Sequence, residues 1–523
     1  MGKVRNILFI MADQLRADYL SCYGHPYLET PNLDGLARQG VRFDRAYVQA
    51  PVCGPSRMSF YTGRTAFSHG ATWNFVPLPV GELTLGDYLR PHGMRTALVG
   101  KSHMMPDLAG MERVGLSVDT EAGLLVSECG FEPYERDDGE HPHPKADPDL
   151  PYNRYLRAQG YEGPNPWNDY ANSGEGPDGE LREGWYMRNA PLAARVAEEH
   201  SETAYMTDRA LQFLAEQGDA PWCLHLSYIK PHWPYIAPAP YHAMYGHNHM
   251  LAAVRETRER DDPHPVYGAL MNHNASREFA REEVRAAVIP AYMGLIKQID
   301  DHLGRVFRYL EETGRMDDTM IVFTSDHGDY LGDHWLGEKE FFHEQAVRIP
   351  LIVYDPDTAA DAARGTVDSG FIEAVDLAPT FLEACGIEIP THVIEGRSAL
   401  WRLRGGKGEL RDHAYSELDY AFYKARVELG VDVHEARLFM LRTDDWKYVC
   451  ALGFEPLLFD LRNDPDEFVD LGRDPGYAGI RDELHRALFE RIAQRKNRTG
   501  ITTERVLART DGAHKHGTLI GYW

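Results

Sequence analysis

Long apolar runs are missing from this chain of 523 residues. No stretch approaches the roughly 18 consecutive apolar residues of a membrane span, so no membrane partner is expected. Cysteine is scarce: Cys22, Cys53, Cys129, Cys223, Cys385 and Cys450 are scattered rather than framed for disulfides, which makes a reducing cytoplasm the default compartment. The apolar run after Lys3 and Arg5 is broken at Asp13 and lacks a small-residue cleavage site, so it reads as a core strand and not as a signal peptide. Positive charge is also short. A formal net charge of −25 argues against nucleic acid as a partner, because binding a phosphate backbone needs a positive surface. Internal repeats are not apparent.

What the chain does contain reads as an α/β protein. Apolar runs of strand length at 6–11, 96–100, 223–228, 320–324 and 351–354 alternate with helical patterns, as in a doubly wound sheet with helices on both faces. The clearest helix carries Ile296, Ile299, Leu303, Val306 and Leu310 at steps of three and four, with Gly314 where a C-cap would stand. Segments at about 132–184 and 254–283, rich in charge, Pro and Gly, read as long loops that rim a pocket. Beyond 365 the pattern becomes hairpin-like at 439–443 and 446–449, followed by an apolar run at 457–461 and a helical stretch at 478–494. The expected division is a catalytic domain over 1–365, a smaller C-terminal subdomain with an antiparallel sheet and a helix over 366–498, and a tail over 499–523. The tail ends in Leu519-Ile520-Gly521-Tyr522-Trp523, an apolar end that suits either docking on a neighbouring subunit or a frayed terminus.

Residues with chemistry fall at the ends of these runs. The first strand ends on Ala12-Asp13-Gln14, and the fourth runs into Ser325-Asp326-His327-Gly328-Asp329. Ligands of open α/β sheets gather at the carboxyl ends of strands, so Asp13, Gln14, Asp326 and His327 can converge on one divalent metal. Oxygen ligands suit Ca²⁺, Mg²⁺ or Mn²⁺, and the His327 nitrogen strengthens the case for Mn²⁺. An anionic substrate needs a small positive pocket within the negative surface, and Arg57, Lys101, His103, His232 and Lys339 are its candidates. Gly100-Lys101-Ser102 is not the end of a phosphate-binding P-loop, because Arg95 stands where that motif requires glycine.

Cys53-Gly54-Pro55-Ser56-Arg57 matches the C-x-P-S-R oxidation signal of type I sulfatases. A lone cysteine in a Pro/Gly turn is ordinarily a plain thiol. Five further motifs accompany it: Asp13-Gln14, Asn74-Phe75-Val76-Pro77-Leu78, Lys230-Pro231-His232, Thr324-Ser325-Asp326-His327-Gly328 and Arg348-Ile349-Pro350-Leu351. In that order they resemble the branch of the alkaline phosphatase superfamily that holds bacterial arylsulfatases and phosphonate monoester hydrolases.

The resemblance implies an alkaline-phosphatase-like fold, and a Cys53 that a formylglycine-generating enzyme converts to an aldehyde. It implies one metal held by Asp13, Gln14, residue 53, Asp326 and His327, although many sulfatases have Asn where this chain has His327. One hydroxyl of the hydrated aldehyde would attack sulfur or phosphorus. Loss of the proton from the other would collapse the hemiacetal and expel the inorganic anion, an elimination that serine could not perform. By the same resemblance, Arg57 steadies the hydroxyl, and Lys101-Ser102-His103 supplies the base. His232 contacts the ester oxygen and protonates the leaving group, Lys339 binds an ester oxygen, and Asn74 faces the substrate. The Lys101/His103 pair leans toward a sulfatase. The expected protein is an arylsulfatase, promiscuous toward phosphonate monoesters and phosphodiesters and assembled as a homo-oligomer, dimer or tetramer. The alternatives are a phosphonate monoester hydrolase or phosphodiesterase, and a non-catalytic binder of sulfated ligands.

Overall fold

A computed structural model describes residues 4–147, 149–510 and 512. Its main sheet has eight strands: β1 Asn6–Asp13, β2 Val41–Tyr47, β3 Arg95–Gly100, β4 Glu132–Arg136, β5 Trp222–Pro231, β6 Thr319–Ser325, β7 Arg348–Tyr354 and β8 Thr366–Glu373. Across the sheet they run in the order β8-β2-β7-β6-β1-β5-β3-β4. Seven are parallel and β7 alone is antiparallel to its neighbours. The link from β6 to β7 holds only short helical turns. Without a long crossover helix, the chain returns along the same side and enters β7 in the opposite sense.

β1 explains why the sheet is covered on both faces. Its residues 7–12 are apolar without alternation and the whole strand is buried, as a strand packed on two sides requires. Ile7, Phe9 and Met11 join one apolar layer, and Leu8, Ile10 and Ala12 join the other. Over the first layer lie helices α1 Cys53–Thr62 and, later in the chain, Leu377–Ala384. Their Phe60 and Phe381 rings stand 5.9 and 5.5 Å from Phe9. Over the second lie α2 Glu202–Glu216 and α3 Glu282–Glu312, whose Phe213, Ile296, Ile299 and Leu303 are buried there. The helical stripe read from the sequence is thus the core face of α3, and Gly314 follows its end with φ +70°.

Three strands were not legible as strands, and each has a reason. β2, with sequence VRFDRAY, carries three charged residues, and β4, with sequence EPYER, is a polar edge. β8 is the opposite edge, with its first half largely exposed, so its pattern is mixed. β8 also corrects the boundary placed at 365, because the main sheet continues to residue 373. The segments read as long loops contain short elements: helix Pro151–Ala158 and strands Ser173–Glu175 and Leu181–Glu183 in one, helices Pro265–Met271 and Asn274–Phe279 in the other.

The second antiparallel sheet follows: β9 Ala414–Asp419, β10 Arg437–Arg442, β11 Trp446–Ala451 and β12 Leu457–Asp460, paired in that order. Helix Ala478–Ala493 lays Leu484 and Leu488 on Tyr415, Leu441, Tyr448 and Leu458. Within the tail, Thr503–Arg509 is helical, and the Leu519 to Trp523 end lies outside the described residues. Among the described residues no helix is long and apolar enough to cross a membrane.

One glycine fixes how β3 hands over to the site. Gly100 has φ +104°, and a Cβ there would meet the Ser227 carbonyl oxygen at 1.9 Å. Gly93 is also left-handed (φ +80°) but has open space around it. Gly93→Ala should therefore cost about 1 kcal/mol from the backbone conformation alone. Gly100→Ala should cost about 3 kcal/mol or more, since strain and overpacking add. Thermal unfolding of the two variants checks this, with the larger fall in midpoint expected for Gly100→Ala.

Candidate active site

Five polypeptide ends meet at one rim of the main sheet. Asp13 closes β1, Lys101 follows β3, His232 follows β5, and Asp326 and His327 follow β6. Cys53 is the first residue of α1, and Arg57 stands one turn further along the same helix face. All six are buried.

Arg57 ties these ends together. Its Nε donates to Asp326 Oδ2 at 2.8 Å, and one terminal nitrogen lies 3.4 Å from Asp13 Oδ2. The other donates to the Lys101 carbonyl and to Ser227 Oγ, each at 2.8 Å. Lys101 Nζ completes the set, 2.7 Å from Asp13 Oδ2. Arg57 is thus a buried ion-pair hub, and it sets the position of residue 53 through the helix.

On the side of Cys53, acceptor atoms face one another. Cys53 Sγ is 3.1 Å from His327 Nε2 and 3.8 Å from Asp13 Oδ1. His327 Nε2 is 3.9 Å from Asp13 Oδ1 and 3.8 Å from Asp326 Oδ1. Because His327 Nδ1 donates to the Gly328 carbonyl at 2.8 Å, the lone pair of the neutral ring is on Nε2, aimed at the carboxylates. Ligand atoms of Asp13, Cys53, Asp326 and His327 all lie within 4.8 Å of one another. Such a donor set fits a divalent cation: two hard carboxylates, one neutral imidazole nitrogen and residue 53.

The protonation states follow from burial and charge. Burial alone would raise the Asp13 pKa, but Lys101, His232, Arg57 and His327 hold it well below the usual carboxylate range. Burial, then Asp13, push the Cys53 thiol up to about 12, so an unconverted Cys53 is a protonated and weak nucleophile near neutrality. Burial and the Lys101 charge hold His103 and His232 well below the ordinary histidine value. His232 donates from Nδ1 to the Trp233 carbonyl at 2.7 Å, which leaves Nε2 as its reactive atom.

The remaining candidates surround this centre. Asn74 Oδ1 accepts the Gly54 N–H at 2.8 Å, so Asn74 borders the head of α1. His103 is left-handed (φ +52°); its N–H and that of Ser102 both donate to Asp138 Oδ1, and its Nδ1 is buried without a hydrogen-bond partner. Lys339 Nζ donates to Gln14 Oε1 at 2.9 Å. Lys230, in the Lys230-Pro231-His232 motif, is drawn instead to Asn172 Oδ1 and the Pro234 carbonyl. A cavity of about 810 Å³ lined by Arg16, Tyr47, Arg348 and Arg442 contains none of these residues.

The sequence reading missed Ser227, Asp138, Tyr235 and Asp329. Asp329 ends the Ser325 to Asp329 stretch already singled out and Tyr235 stands three residues beyond the Lys230-Pro231-His232 motif, whereas Ser227 and Asp138 join the site through contacts remote in sequence.

A family model for sulfatases matches residues 5–387. The chain belongs to the sulfatase family. A model for the C-terminal region of N-sulphoglucosamine sulphohydrolase matches residues 332–494, overlapping the second sheet and its helix. The multifunctional alkaline phosphatase superfamily protein PehA of Trinickia caryophylli is 35% identical over 95% of this chain and 99% of its own length. An arylsulfatase of Clostridium perfringens is 26% identical over 94% and 95%. The crystal structure of the phosphonate monoester hydrolase of Agrobacterium radiobacter matches with a TM-score of 0.81 at 29% identity, covering 94% of this chain and 96% of that one. This sulfatase-family chain is accordingly a hydrolase, with the alkaline-phosphatase-type α/β fold expected of it.

Asp326→Asn should lower bound metal and turnover together, because it removes a charged ligand and one end of the Arg57 bridge. Metal analysis of the purified variant checks this, and full metal occupancy would show that the ligand set is wrong. Cys53→Ala should cut turnover about 10³-fold or more, as loss of a nucleophile does.

Proposed function

We propose that the protein is a metal-dependent sulfuric ester hydrolase of the arylsulfatase type that uses a formylglycine made from Cys53, with side activity toward phosphonate monoesters and phosphodiesters. The observation that carries this reading is the meeting of Cys53, at the head of α1, with Asp13, Asp326 and His327, within reach of Lys101, Lys339 and His232. Asp13, Asp326, His327 and the oxygen of residue 53 would hold a Ca²⁺, Mn²⁺ or Mg²⁺ ion, which offsets the negative charge of the ester oxygens. The formylglycine hydrate supplies an oxygen nucleophile and, in its second hydroxyl, the means of releasing the inorganic anion.

The chain's own residues do the rest. Lys101 and Lys339 carry positive charge into a protein of strongly negative net charge, and burial strengthens their pull on an anionic ester. His103, held neutral by burial and Lys101, is suited to take the proton of the second hydroxyl. His232 is neutral in the same field, and an incoming anion counters Lys101 and raises its pKa, so it gains its proton with the substrate and delivers it from Nε2 to the leaving oxygen. Asn74 borders the same space on the substrate side. Maturation calls for a formylglycine-generating enzyme, and we place the protein in the cytoplasm as a homo-oligomer without nucleic-acid or membrane partners.

A second reading makes phosphonate monoester or phosphodiester cleavage the primary activity. The likeness to the phosphonate monoester hydrolase favours it, and both ester classes present one negative charge around a tetrahedral centre. A sulfated-ligand binder without catalysis is disfavoured by the intact set of ionisable groups around Cys53.

The test compares kcat/KM for an aryl sulfate and an aryl phosphonate monoester with one leaving group, on protein whose formylglycine content is known from mass analysis of the Cys53 peptide. A sulfate preference supports the first reading and a phosphonate preference the second. Persistence of cysteine at 53 in protein from its own host would sink the formylglycine mechanism. His232→Ala should lower kcat/KM by about 10²–10⁴-fold for poor leaving groups and far less for good ones. Equal losses across a leaving-group series would refute the acid role.

A further inference from the structure

Gln14 is the residue between the metal-facing Asp13 and the rest of the rim, and every polar group it has is engaged. Its backbone is left-handed, φ +64°, which is uncommon for a residue with a side chain. The conformation is held at both ends: its N–H donates to Asp326 Oδ1 at 3.0 Å, and its carbonyl accepts from Tyr292 Oη at 2.8 Å. The side chain is held as firmly. Nε2 donates to Asp329 Oδ2 at 2.5 Å and lies 3.2 Å from Tyr235 Oη, while Oε1 accepts from Lys339 Nζ at 2.9 Å.

These neighbours select one orientation of the amide. An ammonium offers only hydrogens and a carboxylate only lone pairs. Turning the amide over would set its NH₂ against Lys339 and its oxygen against Asp329. Asp329 is itself anchored, since Oδ1 accepts the Leu331 N–H at 2.9 Å and Oδ2 accepts the Tyr235 hydroxyl at 2.7 Å. The lysine is presented by a constrained loop, with φ +62° at Glu338 and +88° at Glu340 on either side of it, and the Tyr330 N–H donating to the Glu338 carbonyl at 2.7 Å.

We propose that Asp329 and Tyr235 are positioning residues that fix the Gln14 amide with its oxygen toward Lys339, so that Gln14 serves the substrate-binding lysine. One lysine hydrogen is committed to Gln14, which aims the ammonium and leaves its other hydrogens for an ester oxygen. The inference rests on the reading of Lys339 as an ester-oxygen ligand.

The experiment is a double-mutant cycle on the metal-loaded full chain, with Gln14→Ala, Asp329→Asn and the pair, read as kcat/KM, metal content and the Kd for inorganic sulfate. Asp329→Asn alone should lower kcat/KM about 10–100-fold and weaken sulfate binding, as loss of a supporting partner does. In the Gln14→Ala background the same change should cost less than about threefold, because Asp329 would have nothing left to orient. An undiminished effect of Asp329→Asn in that background would overturn the proposal. Tyr235→Phe, which deletes a hydroxyl without changing charge, runs the same cycle if Asp329→Asn does not fold. Should the protein cleave neither ester, the functional reading fails on its own, and the cycle on sulfate affinity still decides the positioning role.

Discussion

Asp13 and Asp326 sit at the ends of neighbouring strands with no solvent exposure, an arrangement the fold tolerates because Arg57 lies against both of them and Lys101 lies against Asp13. Removing one partner of such a buried pair costs about 3–5 kcal/mol, because the charge left behind has neither water nor a counterion. The guanidinium has enough donors in one plane to serve both carboxylates, the Lys101 carbonyl and Ser227 together. It therefore joins β1, β3, β5 and β6 to α1. Since Cys53 is one helical turn from Arg57, the interaction that makes the buried charge bearable also places residue 53, the proposed nucleophile position.

Charge in the site is balanced locally and not by the protein as a whole. Three buried cations, Arg57, Lys101 and Lys339, face two carboxylates inside a chain of net charge −25. A divalent cation seated among Asp13, Asp326 and His327 would leave the centre positive, as capture of an anionic ester requires. Burial sharpens each of these interactions and also keeps the neighbouring imidazoles neutral. In the proposed reaction, the same low-dielectric setting would serve both anion binding and proton transfer.

Much of this was readable from the sequence, for identifiable reasons. β1 and β6 are nearly continuous apolar runs, and β5 is one interrupted by His225 and Ser227, which are hydrogen-bonded, as strands buried on both faces require. Asp13 is the first polar residue after one such run, and Asp326 and His327 directly follow the strand that ends on Ser325, so strand ends alone bring them toward one rim. Cys53 and Arg57 fall four apart, the spacing that shares a helix face. β2, β4 and β8 were hidden because edge or charged strands satisfy their backbones without an apolar signature, and that shifted the boundary set at 365 by one strand. Gln14 was grouped with the metal ligands because it adjoins Asp13, and its left-handed backbone could not be read from residue type. Lys230 shares a motif with His232 yet is held by Asn172 Oδ1 and the Pro234 carbonyl, a partnership with Asn172 that the motif does not encode.

By itself, then, the sequence determined the family, the layered α/β sheet, and the inventory of groups available for chemistry, because these depend on periodicity and on motifs whose spacing is local. Only the tertiary structure decided which groups face one another. The Arg57 contacts with both carboxylates, the Asp138 clasp on Ser102 and His103, and the Asp329, Tyr235 and Lys339 contacts around Gln14 join residues from 35 to more than 300 positions apart. Partners so distant meet only through the packing of the whole sheet and its helices, and no local pattern in the chain encodes their orientation.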